Sequence, residues 1–360
     1  LGITRLIMKM SLPLMISMLI QALYNIVDSM FVARVSETAL TAVSLAFPLQ
    51  NLLIAFGVGT GVGMASYLSR KLGEKDTETA TKAAGNGITL AVITWVLFAI
   101  LGLTIVKPFM ALFTDDAELL GLSTSYSEIV MIFSFFMLLS MMNERILQGT
   151  GDSFSSMLSQ MTGAITNIIL DPVFIFVFKM GVNGAAIATV IGQAVGCAVS
   201  LYFVIRNKYI KIKPQHLKLE KRMVASIYSV GAPTIITNSI GTVMTGAMNA
   251  ILIGFSTTAV SVFSVYFKLQ SFVFMPIFGL SSGMVPIIAY NYGARKKKRV
   301  MSTIWIGTLI AIVIMAVGTI VFNLFPEALL SLFSATEEMY RLGVPALKII
   351  SFCFVSAAIS

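Results

Sequence analysis

Two aspartates, Asp28 and Asp171, stand deep inside apolar stretches of the chain. A carboxylate near the centre of a membrane-crossing helix costs roughly 2.5 to 3.5 kcal/mol on insertion scales. Packing returns none of that cost, so each acid is a functional candidate. Asp28 precedes Arg34 by six residues and Asp171 precedes Lys179 by eight. Measured from those basic residues at the outer boundary, the acids lie about 9 Å and about 12 Å deep on a helix. Asn167 is one turn before Asp171 and shares its helix face. Pro172 has no N–H, which frees the carbonyl of Ile168 to accept a bond or to coordinate a cation. This oxygen-rich set suits H⁺ or Na⁺. Two carboxylates in one dry pocket do not both stay ionised cheaply, so protons would leave in coupled steps. The alternative is that each acid faces a water-filled cavity or caps a neighbouring helix.

Other polar groups in the apolar runs are candidates for lining a cavity: Gln21, Tyr24, Asn25, Gln50, Tyr126 and Gln270. Glu144 and Arg145 fall at the end of one run and are expected to form an interfacial pair. The glycine-rich stretch 57–63 has the spacing of a dinucleotide loop. It lies in the middle of an apolar run without a strand before it, so it predicts close helix packing instead. No GxxxxGK[ST] loop occurs, which disfavours an ATP-driven pump and leaves an ion gradient as the energy source. Cys197 and Cys353 lie in apolar runs and are expected to be small core residues, with no disulfide framework or metal cluster. No resident cofactor is expected; H⁺ or Na⁺ would be cargo.

These residues need a membrane around them. The chain is 57% hydrophobic and 11% charged, too few charges for a water-exposed surface. Its mean hydropathy of +0.91 agrees. Apolar runs long enough to span a bilayer occur near 11–33, 44–68, 85–106, 122–143, 155–178, 184–205, 224–253, 263–290, 302–325 and 342–360. The expected fold is an all-α polytopic membrane protein. With the N-terminus inside, basic residues gather on the inner segments, as at Arg70, Lys71, Lys75, Lys296, Lys297 and Lys298. Asp115, Asp116, Glu118, Glu337 and Glu338 fall outside. This is the positive-inside pattern. It attributes the net charge of +9 to topology and anionic lipid, and not to nucleic acid. His216, in the basic stretch after the sixth run, is expected to be a solvated loop residue.

The chain also repeats itself. A shift of 220 residues lays Pro13 on Pro233, Gln50 on Gln270, Gly63 on Gly283, Gly73 on Gly293, Gly87 on Gly307, and Leu112–Phe113 on Leu332–Phe333. The first unit has six runs, an even number, and the second shows four of six, so the two units enter the membrane in the same orientation. The expected architecture is two six-helix bundles related by a pseudo-two-fold axis. Residues 1–205 form the first lobe, 206–222 a cytoplasmic linker and 223–360 the second lobe. The chain begins at Leu1 and stops at Ser360 inside an apolar run, so about ten of twelve helices are expected here.

Several motifs in this order are similar to one family. Residues 23–28 with Tyr24, Asn25 and Asp28, residues 46–50, the loop 147–152, and the stretches 167–176 and 181–189 resemble a prokaryotic multidrug and toxic compound extrusion (MATE) transporter. The likeness covers essentially the whole chain. It implies twelve helices in two lobes and an antiporter that exports organic cations in exchange for H⁺ or Na⁺. It also implies a cation-coupling site at Asp28, Asn167, Asp171 and Thr189, with Thr189 entering by resemblance alone. Some members carry acids in the seventh and tenth helices instead. Here no acid occurs at 231–253 or 342–360, which favours the first-lobe site. The implied setting is the cytoplasmic (inner) membrane, with small organic cations and lipid as partners and a monomer as the working unit. A lipid-linked oligosaccharide flippase is the alternative; it would need a cationic cavity, and the runs hold almost no Lys or Arg.

Overall fold

The computed structural model describes residues 2–255, 257–332 and 336–358. Leu1, Phe333, Ile359 and Ser360, which enter the expectations above, lie outside the described residues. The elements are α1 (Ile3–Ala33), α2 (Glu37–Gly73), α3 (Thr77–Thr104), α4 (Val106–Met110), α5 (Ala117–Ile132) and α6 (Phe135–Gly149). Then come α7 (Ser153–Pro172), a π turn (Val173–Val177), α8 (Gly181–Ile205), a short 3₁₀ turn (Pro214–Leu217) and α9 (Lys221–Ile253). The chain continues with α10 (Thr257–Gly293), α11 (Lys297–Leu324), α12 (Pro326–Ser331), α13 (Glu337–Ser351) and α14 (Cys353–Ala357). No strand occurs among the described residues. Eight of these helices are long and apolar enough to cross a membrane, and α5 with α6 makes a ninth. α9 has 33 residues, about 50 Å of helix, and covers the seventh expected run. The chain is a multi-pass membrane protein.

The fourth span is not straight. α5 and α6 meet at a 45° bend. Two side chains capture carbonyls that the helix ladder would use: Trp95 donates its indole N–H to Ile132 O at 2.8 Å, and Ser134 donates its hydroxyl to Met131 O at 2.7 Å. A side chain inserted into the ladder is an established cause of a kink. The helices also outrun the apolar stretches, since charged residues at their ends continue the backbone pattern; α2 ends at Gly73 with Arg70 and Lys71 in its last turn.

The 220-residue repeat is visible in the packing. Gly63 of α2 lies so close to Ile227 and Gly231 of α9 that a Cβ there would strike backbone. Gly283 of α10 lies equally close to Ser11 of α1, which is Gly231 shifted by 220. Gly73 abuts Tyr290, and Gly293 abuts Arg70, again the same pair shifted by 220. The turns repeat as well. α2 and α10 each end with a left-handed residue, Lys75 at φ 64° and Arg295 at φ 56°. Each is followed by a closing bond, Asp76 N–H to Lys71 O and Lys296 N–H to Asn291 O, both 2.9 Å. This is a Schellman closure, usually given to glycine. Here a lysine and an arginine accept a left-handed strain of about 1 kcal/mol.

The first helix of each unit crosses toward the other. Ile7 and Met10 of α1 pack with Leu280 and Ile287 of α10, and Met223 and Ile227 of α9 join the core built from α2 to α8. The glycine-rich stretch serves this packing on two faces of α2. Gly57 and Gly61 meet α6, and Gly59 and Gly63 meet α9.

Two expectations are corrected. His216 is buried, not solvated. Its Nδ1 accepts from Lys213 N–H at 3.0 Å, and its carbonyl lies on Asn86 of α3. Asn86 also bonds Lys218 O and Glu220 N–H, and Thr89 bonds Leu217 O at 2.7 Å, so the linker is pinned along α3. Cys197 is buried as expected, but Cys353 is exposed. It starts α14, separated by Phe352 from the end of α13 at Ser351, and faces outward.

Candidate functional site

Three helices carry the acids and their neighbours together. Asp28 lies on α1, Asn167 and Asp171 on α7, and Thr189 on α8. Asp171 is wholly buried, and Asn167 is 2% exposed. The Asn167 amide forks, donating to Asp171 Oδ1 at 3.4 Å and to Thr189 Oγ1 at 3.3 Å. The carboxyl groups of Asp28 and Asp171 face each other within hydrogen-bond reach. Tyr24, one turn from Asp28, places its hydroxyl beside Thr189 and Asp28. Tyr126 of α5 stands nearby, receiving the Gln50 amide at 3.4 Å.

The donor count is short. Asp28 Oδ1, Asp171 Oδ2 and Asn167 Oδ1 are buried without a hydrogen-bond partner. Unpaired buried oxygens cost about 1–3 kcal/mol each, more when charged. Facing carboxylates cannot bond each other unless a proton or cation sits between them. Two carboxylates, an amide oxygen and the Thr189 hydroxyl are a hard-oxygen set that fits a proton or a small hard cation.

The backbone of α7 breaks next to this cluster. Pro172 removes the donor for the Ile168 carbonyl, and Val173 N–H turns back to Leu170 O. The chain then widens into the π turn, with Phe178 N–H on Val173 O at 2.9 Å. Such π segments recur at functional sites. Phe176 of the turn meets Phe31 of α1 edge-to-face at 6.3 Å, which fixes α1 against α7 beside Asp28.

Asp28, Asn167, Asp171, Thr189 and Tyr24 therefore converge, with Tyr126 and Gln50 alongside. Gln21 and Asn25 are exposed on α1. Gln270, the repeat partner of Gln50, sits half-buried on α10. An apolar cavity of about 530 Å³ lies elsewhere, between Phe56 of α2 and Ile235, Ile236 and Val243 of α9.

Two features escaped the sequence reading. Gln193, one turn after Thr189 on α8, has a buried Oε1 without a partner. Counting one helical turn onward from Thr189 would have found it. The second is Glu144. It forms no ion pair with Arg145, since successive residues on a helix point about 100° apart. Its carboxylate accepts from Ser140 Oγ at 3.0 Å and from Gln160 Nε2 at 2.7 Å. Gln160 also bonds Ser17 of α1. Arg145 donates instead to Gln148 at 2.9 Å, and Gln148 to Ser156. The expected interfacial pair is thus two separate polar networks.

The family model for MatE matches residues 13–173 and again residues 233–360. The chain belongs to the MatE family. Its two matches start 220 residues apart, the same register as the internal repeat. Among MatE relatives, a multidrug export protein MepA of Staphylococcus haemolyticus is 29% identical over 350 residues, covering 97% of this chain and 77% of that protein. An outward-facing MATE transporter of the MOP superfamily superposes with a TM-score of 0.93 at 26% identity, over 98% of this chain and 79% of the other. A MATE transporter in its straight conformation gives a TM-score of 0.94 at 26% identity, over 99% and 80%. The MatE fold and its transporter class are therefore established for this chain.

Proposed function

We propose that this chain is a multidrug antiporter of the cytoplasmic membrane that exports organic cations in exchange for inward H⁺ or Na⁺. The observation that carries the coupling is the pair of facing carboxyl groups, Asp28 and Asp171, each with one partnerless buried oxygen and with the partnerless Asn167 Oδ1 beside them. The substrate class rests on the family and on relatives named as multidrug exporters. The N-terminus lies inside, which puts the basic turns on the cytoplasmic face. Residues 1–205 and 223–360 act as two lobes joined by the 206–222 linker, and the protein works as a monomer.

In this reading the ion enters from the outer face and is held by Asp28, Asp171, Asn167 and Thr189. Binding satisfies the oxygens and cancels the negative charge. That removes the repulsion between α1 and α7 and lets α1 shift on the π turn. The altered α1 wall releases the organic cation outward. On the opposite face, α2 and α10 meet at Gly73, Tyr290, Gly293 and Arg70, which supports a cleft closed toward the cytoplasm in this state. The flippase reading has no support at this site, whose ionisable groups are acids and tyrosines.

The test is efflux of a fluorescent organic cation from proteoliposomes under an imposed pH or Na⁺ gradient. Efflux driven by one gradient and absent without it supports the reading. Equal rates with and without either gradient would sink the coupling.

A further inference from the structure

We propose that the pocket between the start of α1, the α6–α7 turn and the end of α8 binds the headgroup of an anionic phospholipid. This cavity holds about 700 Å³. Lys9, Arg206 and Lys208 line it. The ion pairs among the described residues employ other cations, so none of these three is neutralised by a carboxylate. Arg206 lies over the Tyr202 ring at 4.6 Å, which holds the guanidinium in place. Asp152 is the acid in the lining. Its carboxylate is occupied by the N-cap of α7, accepting from Ser155 N–H at 3.1 Å and Ser155 Oγ at 2.7 Å.

The pocket floor is built, not loose. The α6–α7 turn closes with Gly151 at φ 88° and Asp152 N–H on Leu147 O. Asn207 donates to Thr150 Oγ1 at 2.8 Å, and its Oδ1 accepts from Tyr209 and Ile210 N–H. The walls carry Met8, Leu12 and Phe154, all exposed apolar side chains. A free anion has no use for such walls, whereas a lipid brings acyl chains to cover them. The helix ends that frame the pocket all lie on one face, where hydrocarbon gives way to headgroups. Basic pockets of this kind between helix ends are suited to phosphate-bearing lipid. The phosphate would sit among Lys9, Arg206 and Lys208, and the chains would run along Met8, Leu12 and Phe154.

The test uses the full chain in phosphatidylcholine vesicles carrying a small fraction of photoactivatable phosphatidylglycerol. The expected result is cross-linking to peptides around 8–12 and 203–209. The triple variant Lys9→Gln, Arg206→Gln and Lys208→Gln should label at least about tenfold less. A control triple, Lys296→Gln, Lys297→Gln and Lys298→Gln, removes the same charge elsewhere on the same face and should label as the parent does. Thermal melting in detergent checks that both triples fold. Equal labelling by a phosphatidylcholine probe, equal loss in both triples, or competition by inorganic phosphate would each overturn the proposal.

Discussion

Asp171 has one carboxylate oxygen on Asn167 and the other without a donor, in a site from which solvent is excluded. That imbalance makes specific predictions about single residues. Asn167→Ala removes an oxygen of the proposed ion site together with the amide that bonds Asp171 and Thr189. Ion-dependent stabilisation in thermal melts should fall several-fold, with less effect on melting in the absence of the ion. Gln160→Leu should act differently, because Glu144 then loses the donor at 2.7 Å while staying buried. Melting stability should fall by about 1–3 kcal/mol whether or not the coupling ion is present. The depth of Asp28 and Asp171 was legible because a charge in an apolar run is a local signal. Their pairing was expected only from similar depth, since the residues are far apart in the chain and meet only when α1 packs on α7. Thr189 came from family resemblance, because a hydroxyl in an apolar run is cheap and gives no signal of its own. Glu144 was misread for a related reason: its donor Gln160 comes from another helix, and Ser17 of α1 joins it only through Gln160.

At the scale of elements, the boundaries depend on caps and on neighbours. Asp76 caps α3 by accepting Thr79 N–H at 3.1 Å, and hydrogen bonds from the Thr79 side chain and then its N–H hold the carboxyl below the ordinary carboxylate range. Lys296, at the matching place before α11, makes no side-chain cap. Asp76→Ala should cost about 1 kcal/mol of stability. A carboxyl with a depressed folded pKa contributes fully above its unfolded value near 4 and loses the contribution as the pH falls through the folded value. Acid melts of the parent should therefore converge on those of Asp76→Ala at low pH, while the two differ at neutral pH. The linker offers a second check. Gly85 lies against the His216 carbonyl with no room for a Cβ. Gly85→Val should free residues 206–222 and speed limited proteolysis there by about tenfold or more. Apolar runs revealed nearly every span. They could not reveal the bend at Phe133 and Ser134, or the docked linker, because Trp95 and Asn86 act from another helix.

Across the whole molecule, the pseudo-two-fold axis ties distant residues to one behaviour. The repeated glycines announced the axis in sequence, since helices approach this closely only where side chains are absent. The crossing of α1 and α9 between units was not legible, because both faces of those helices are apolar. On the basic face, Arg70 of α2 lies over the Tyr292 ring of α10 at 5.6 Å, beside the Gly73 and Gly293 contacts. Such a contact is worth about 0.5–1 kcal/mol where exposed. Tyr292→Ala should shift the population toward a form open on this face by about two- to five-fold. Spin labels at positions 74 and 294 would report the shift as a longer inter-label distance. The most direct measurement of the whole account is gradient-driven efflux of an organic cation in proteoliposomes, with the coupling ion followed in the same vesicles. The parent should move drug and ion in a fixed ratio, and Asp28→Asn and Asp171→Asn should each lose at least about tenfold of the coupled flux. If both variants keep the parent's rate and ratio, the paired carboxyl groups do not couple transport.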